Sequence, residues 1–275
     1  MWKVVDDDHA VVRDAMAVGL VDDDAIARFH DEGYVVLRKA FDPSELSAEV
    51  DDALERGLRD DGDVKQGSGG VEFRVVVMMC ERTPVSLALL DAFAVTASKL
   101  LGRPVLPGRA KGTRYFGSSR FHADSDAAIP SLSFLAYLES LDATSGALRV
   151  VPRSHRDQTD VGVLDAVAVA TSPGDVIVFD EHLTHGSVGG VVRRQWRVDF
   201  IAEPRDDAEA ALVYASYAKL FDLSWDAGDD VDRYPSFGPY WQTLDRPWTA
   251  PLGVMGVYDL AARHAAAVRA RDRRS

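Results

Sequence analysis

Phe121-His122-Ala123-Asp124 sets an imidazole and a carboxylate two residues apart, and on a strand that spacing sends both side chains to one face. A second imidazole comes much later, in Leu183-Thr184-His185-Gly186-Ser187. Two neutral imidazoles and one carboxylate form the facial triad of a non-haem iron(II) site, with three positions left for a bidentate co-substrate and dioxygen. The same ligands also suit zinc carrying a water. A zinc hydrolase is therefore a competing reading, although no glutamate beside the three residues offers itself as general base. A lone His-x-Asp is weak evidence, because two polar residues on a strand more often face solvent than a metal, so the surrounding elements decide its weight.

Those elements must bring His185 back beside His122. From Arg109 to Phe200 the chain reads as short β-rich runs broken by turn residues: Thr113–Phe116, Ser131–Leu138, Ala147–Val151, Asp175–Phe179, Leu183–Val188 and Val192–Ile201. Ahead of them lie a helix from Asp22 to Gly33, the strand Tyr34–Leu37 and a helix started by Asp42-Pro43-Ser44-Glu45 with an apolar stripe of Leu46, Val50, Ala53, Leu54 and Leu58. A polar loop at 60–70, a strand at 71–79 and a helix from Pro84 to Leu101 closed by Gly102 follow. Many short strands after a helical start predict a mainly β fold with helices (α+β), a double-stranded β-helix or jelly-roll core backed by the N-terminal helices. Residues 1–203 form the expected catalytic domain. Residues 204–275 read as a helical, aromatic-rich C-terminal extension packed on the same domain, with a helix at 208–221 and a final helix ending in Arg269, Arg271, Arg273 and Arg274.

The chain has 275 residues, 47% of them hydrophobic, enough for a sizeable core, and a formal net charge of −13. Such a charge repels nucleic acid and anionic membranes, which leaves a small molecule as the expected substrate. Neither a membrane-length apolar run nor a basic-then-apolar leader is evident, so a cytoplasmic enzyme is expected. The single cysteine, Cys80, follows Val75-Val76-Val77-Met78-Met79 and reads as a small buried hydrophobe rather than a nucleophile.

Four segments, in order, resemble the phytanoyl-CoA dioxygenase family: Phe29-His30-Asp31-Glu32-Gly33-Tyr34-Val35-Val36-Leu37; His122-Ala123-Asp124; Ser145-Gly146-Ala147-Leu148-Arg149-Val150-Val151-Pro152-Arg153-Ser154-His155; and Pro173-Gly174-Asp175-Val176-Ile177-Val178-Phe179 ahead of His185. They extend over roughly residues 22–201, and together they are far more specific than any one alone. The resemblance implies that His122, Asp124 and His185 hold Fe(II), with 2-oxoglutarate as co-substrate and dioxygen as oxidant. It also implies oxidation of an unactivated C–H bond, by default hydroxylation, with a secondary-metabolite intermediate as a candidate substrate. Related halogenases lack the carboxylate ligand to admit chloride, and Asp124 is present.

The co-substrate's far carboxylate would need an arginine on the strand after His185. In Arg193-Arg194-Gln195-Trp196-Arg197-Val198-Asp199-Phe200, alternation sends Trp196, Val198 and Phe200 towards backing helices, with Arg194 on their side. Arg193, Gln195, Arg197 and Asp199 then face inward. The resemblance favours Arg193, with Arg197 second. The family usually has an asparagine and a longer loop where this chain has Val188-Gly189-Gly190.

Other polar residues carry plainer expectations. His155 belongs to a structural turn, and His182, an odd number of residues before His185, should face away from it as a pocket neighbour. Asp126 is passed over in favour of Asp124. Arg114, Tyr115 and Arg120 approach His122 as strand surface, and the aromatic run from Tyr234 to Trp241 is expected to pack the C-terminal extension rather than form a lid. Desaturation, epoxidation or ring closure by the same iron chemistry, and an inactive metal-binding jelly roll, are the remaining alternatives.

Overall fold

A computed structural model of the chain describes residues 21–57, 65–66, 72–156, 165–189, 192–222 and 230–273, with residues 65, 66 and 72 described by backbone alone. Asp22 accepts a bond from the Ala25 N–H and starts helix α1 (Asp23–Glu32), which Gly33 ends in the left-handed region at φ 82°. Only glycine suits that position, since a Cβ there would also come within 2.5 Å of His155 Nδ1. Strand β1 (Tyr34–Leu37) follows, then α2 (Pro43–Arg56), capped by Asp42 and buried along Leu46, Val50, Ala53 and Leu54. Leu58, Val71 and most of the expected loop at 60–70 lie outside the described residues. Within that loop Lys65–Gln66 forms β2, which pairs with β3 (Glu72–Val77).

Helix α3 (Pro84–Leu101), closed by Gly102 at φ 68°, has the length and mean hydropathy (1.4) of a membrane span, but 56% of that window is buried within the protein. It is the central backing helix. Phe93 stacks on Phe134 with centroids 4.8 Å apart, and Ser86 Oγ accepts a 2.6 Å bond from Trp196 Nε1.

The remaining strands are β4 (Val105–Pro107), β5 (Lys111–Phe116), β6 (Ser119–His122), β7 (Ser131–Tyr137), β8 (Arg149–Val150), β9 (Val167–Ala168), β10 (Val176–Asp180), β11 (His185–Ser187) and β12 (Arg193–Ala202). One antiparallel sheet runs β1-β10-β7-β12-β5-β3-β2, with β4 also on β12; the other runs β6-β11-β8-β9. These are the two sheets of a jelly roll, as expected from the strand pattern. The short strands β4 and β9 were not anticipated. One apolar cluster joins the larger sheet to the helices; a smaller one, including Leu135, Tyr137, Ile177, Phe179 and Leu183, fills the space between the sheets.

Beyond β12 come α4 (Asp207–Leu220), α5 (Pro239–Gln242), α6 (Thr249–Val254) and α7 (Val257–Asp272). Tyr217 of α4 donates to the Pro107 carbonyl at 2.7 Å, and Trp241 Nε1 donates to the Met79 carbonyl. Tyr234, Phe237 and Trp241 are buried, so this part of the aromatic stretch packs the extension onto the core. Residues 223–229, including Trp225, and Arg274 lie outside the described residues.

Candidate metal centre

Strands β6 and β11 pair antiparallel with His122 directly opposite His185. Gly186 lets them approach: a Cβ there would lie 3.1 Å from the Arg120 carbonyl oxygen and the Phe121 nitrogen. The two imidazole centroids are 4.7 Å apart. Each ring donates from Nδ1 to a carbonyl two residues earlier, His122 to Arg120 at 2.8 Å and His185 to Leu183 at 2.9 Å. A carbonyl only accepts, so in the neutral rings Nε2 keeps its lone pair, the form in which imidazole binds a metal. Both Nε2 atoms turn to Asp124, each 3.4 Å from one of its carboxylate oxygens. One ligand atom from each residue falls within a 4.8 Å set. Two nitrogens and a carboxylate oxygen grouped on one side suit a divalent transition metal and leave its other side to small ligands.

Asp124 departs from the expected geometry. Strand β6 ends at His122, so the carboxylate is not aligned by strand alternation. Its backbone N–H donates to the Glu181 carbonyl at 2.8 Å, and Arg197 Nη2 donates to its Oδ2 at 2.7 Å. Burial pushes the Asp124 carboxyl up, but Arg197 and the two histidines outweigh this and hold it well below the usual carboxylate range. Hydrogen bonding to Asp124 raises His122, whereas burial lowers His185.

The inward face of β12 spans this centre. Arg197 also bonds Asp199 at 2.5 Å and Ser133 at 2.6 Å, and lies 3.3 Å from Glu181. Burial, reinforced by Asp199, pushes the Glu181 carboxyl up to about 8. Arg193 differs sharply. It is 2% exposed, donates to the Gly117 carbonyl and Ser187 Oγ, and has no partner for Nε. Among the described residues no carboxylate pairs with it. Its guanidinium stands 5.5 Å from the centre of the Tyr115 ring, whose hydroxyl accepts from Gln195. Burial pushes the neighbouring Tyr137 hydroxyl up to about 12. Arg194 points away from the site, bonded to Glu139, Ser47 and Asp51.

Several expectations change in detail. His182 precedes β11 in a turn, so strand alternation does not apply; it bonds Asp180 and the Ala127 carbonyl and braces the segment after Asp124. Asp126 pairs with Lys219. His155 is 3.3 Å from the His30 carbonyl and packs at Gly33, a structural place. Contrary to the sequence reading, a glutamate does stand beside the triad: Glu181. Ser131, Ser133 and Ser187 were also missed. The two serines i and i+2 at the head of an apolar strand were a usable signal of a polar inward face.

The sequence matches the phytanoyl-CoA dioxygenase (PhyH) family over residues 29–191, more than half of the chain. The chain belongs to this family and is an oxidoreductase of the iron(II)- and 2-oxoglutarate-dependent dioxygenase class. No curated protein matches it. Among solved structures it is similar to AviO1 from Streptomyces viridochromogenes Tue57, at 24% identity over 69% of this chain and 98% of that one, with TM-score 0.54. EctD from S. alaskensis, with 2-oxoglutarate and 5-hydroxyectoine, is 22% identical over 66% and 77% of the two chains, TM-score 0.53. The non-haem α-ketoglutarate-dependent carbocyclase SnoK from nogalamycin biosynthesis is 17% identical over 66% and 85%, TM-score 0.54. These likenesses show the jelly-roll fold.

Proposed function

We propose that His122, Asp124 and His185 hold iron(II), that Arg193 binds the far carboxylate of 2-oxoglutarate, and that the enzyme hydroxylates an unactivated C–H bond of a small molecule. The observation that carries the co-substrate assignment is the charge on Arg193. A buried guanidinium without a counter-ion costs several kcal/mol, by roughly the effective penalty for a desolvated ion, and a dianionic co-substrate removes that cost. Ser187 and Tyr115 flank the same guanidinium. Arg197, the second candidate, is already engaged by three carboxylates, so its role is to orient Asp124.

Held there together, iron(II) and 2-oxoglutarate would supply the oxidation, one oxygen atom of dioxygen entering succinate, formed with carbon dioxide from 2-oxoglutarate, and the other entering the C–H bond. The chain's own residues do the positioning. Nδ1 donation to backbone carbonyls fixes the two imidazoles, Arg197 fixes the carboxylate, and the apolar cluster between the sheets keeps water from the Arg193 end. Residues 1–203 carry this centre and 204–275 extend the same domain. A secondary-metabolite substrate accords with the fold shared with SnoK from nogalamycin biosynthesis, and a cytoplasmic setting belongs to the same reading.

Anaerobic addition of iron(II) and 2-oxoglutarate should give a weak visible charge-transfer band, and oxygen should then yield succinate. His122→Ala and His185→Ala should each abolish succinate formation while circular dichroism stays unchanged. Wild-type turnover in both variants would sink the assignment. With a substrate in hand, a product heavier by one oxygen supports hydroxylation, and loss of two hydrogens supports desaturation or ring closure instead.

A further inference from the structure

A cavity of ≈ 220 Å³ opens beside Asp124, between the inward residues of β12 and helix α4. Asp124, Glu181, Asp199 and Ile201 line it together with Tyr217 and Leu220 of helix α4. It lies at the Asp199 end of β12, away from Arg193, and Arg193 does not line it. A molecule held here lies against a proposed metal ligand without displacing a co-substrate at Arg193.

The charges around the cavity are already matched. Lys111 is 3.2 Å from Asp199, and Arg197 is shared among Asp199, Glu181 and Asp124. At the rim, Lys219 is 2.8 Å from Asp126. Among the described residues each lining cation already faces an acid, so none is left over to receive a phosphate, a carboxylate or an acyl-CoA, and Asp124 and Asp199 would repel each of them. An ammonium gains little either. Each of the three lining acids already faces Arg197, and Asp199 also faces Lys111.

Unused hydrogen-bonding capacity remains. Ser131 is 2% exposed and lines the cavity, and its Oγ has no hydrogen-bond partner of ordinary geometry, only a weak bond towards Glu181 that helps hold down that carboxyl's proton affinity. A buried hydroxyl without a partner is costly. Glu181 receives both of its side-chain contacts, from Ser133 at 3.2 Å and Arg197 at 3.3 Å, on Oε1. A carboxylate can accept at about four positions, so the pair can still take hydroxyl donors.

We propose that this cavity is the substrate chamber and that it takes a neutral small molecule bearing several hydroxyl groups, with one hydroxyl bonded to Ser131 and Glu181 and the carbon skeleton against Tyr217 and Leu220. The proposal deepens the dioxygenase reading and rests on it for the chemistry performed, but binding in the cavity needs neither metal nor co-substrate. Helix α4, in the C-terminal extension, is then a wall of the substrate site.

The test uses the full-length, metal-free protein and saturation-transfer NMR with four probes at equal concentration. Methyl α-D-glucopyranoside and myo-inositol are the neutral polyols, glucose 6-phosphate the anion, and glucosamine the cation. The neutral polyols should bind in preference to both charged probes, and Ser131→Ala should weaken them roughly five- to tenfold, the loss of one neutral hydrogen bond. Leu220→Trp, which fills the cavity, should abolish the signal, with its melting curve reporting whether it folds. Absence of polyol binding, a preference for either charged probe, or undiminished binding in Ser131→Ala overturns the proposal. The wild-type charge-transfer band and succinate yield report separately on the dioxygenase reading.

Discussion

Arg193 and Arg197 leave the same face of β12 into opposite electrostatic surroundings. The first has no carboxylate partner among the described residues, and the second has three. Their substitutions should therefore fail differently. Arg193→Ala should raise the dissociation constant for 2-oxoglutarate roughly 10- to 100-fold, the worth of a charge-assisted pair, with little loss of stability. Arg197→Ala strips Asp124 and Glu181 of their cation and leaves Asp199 with Lys111 alone, so it should lower folding stability by about 3–5 kcal/mol and weaken metal binding. Isothermal titration with 2-oxoglutarate and denaturant unfolding separate the two. If Arg197→Ala loses 2-oxoglutarate affinity and Arg193→Ala does not, the roles are reversed. Residue types and alternation made both arginines legible as inward-facing. What sequence could not supply was the company they keep, because Asp124, Ser133 and Glu181 reach Arg197 from three other places in the fold.

Helices α2 and α3 are joined by a device that period and propensity do not reveal. Glu49 of α2 accepts from the Val85 and Ser86 N–H groups at the start of α3, at 2.9 and 2.8 Å. Burial pushes its carboxyl up from 4.5 to about 7, against those two bonds. The folded protein thus holds this proton more tightly than the unfolded chain does. The resulting stability is fully present below about pH 4.5 and is lost as pH rises through about 7. After screening at this partly exposed site the loss should be about 1–2 kcal/mol. Glu49→Gln should flatten the decline in melting temperature between pH 5 and pH 8, and an unchanged slope would rule Glu49 out as its source. The longer helices and strands were legible because caps and apolar spacing repeat over many residues. Strands β4 and β9 have only two or three residues, too few to show a period, and β6 ends before the carboxylate it was expected to carry.

For the molecule as a whole, the C-terminal extension completes the core instead of standing apart from it. Trp241 is 1% exposed and reaches the Met79 carbonyl, and Phe237 packs edge-on to Tyr217 with centroids 5.8 Å apart. Trp241→Ala should cost about 3–5 kcal/mol by loss of packing, read as a shift in the urea midpoint, and leave 2-oxoglutarate affinity unchanged. A shift under 1 kcal/mol would mean that the extension contributes little to stability. Its composition change and aromatic content were visible in the sequence; that α4 lines a cavity beside Asp124 was not, since helix periodicity does not identify what lies opposite.

Strand β12 ties folding to chemistry in one further way. Trp196, Val198 and Phe200 lock against the helices and never touch the metal centre, yet because side chains alternate they dictate that Arg193 and Arg197, and not Arg194, point into it. A slip of one residue would push the tryptophan into the metal centre and turn both arginines against the apolar helices at once. Partially competent molecules are thereby excluded: proofreading of the catalytic arrangement is delegated to the greasy side of the strand, where mistakes are thermodynamically loud.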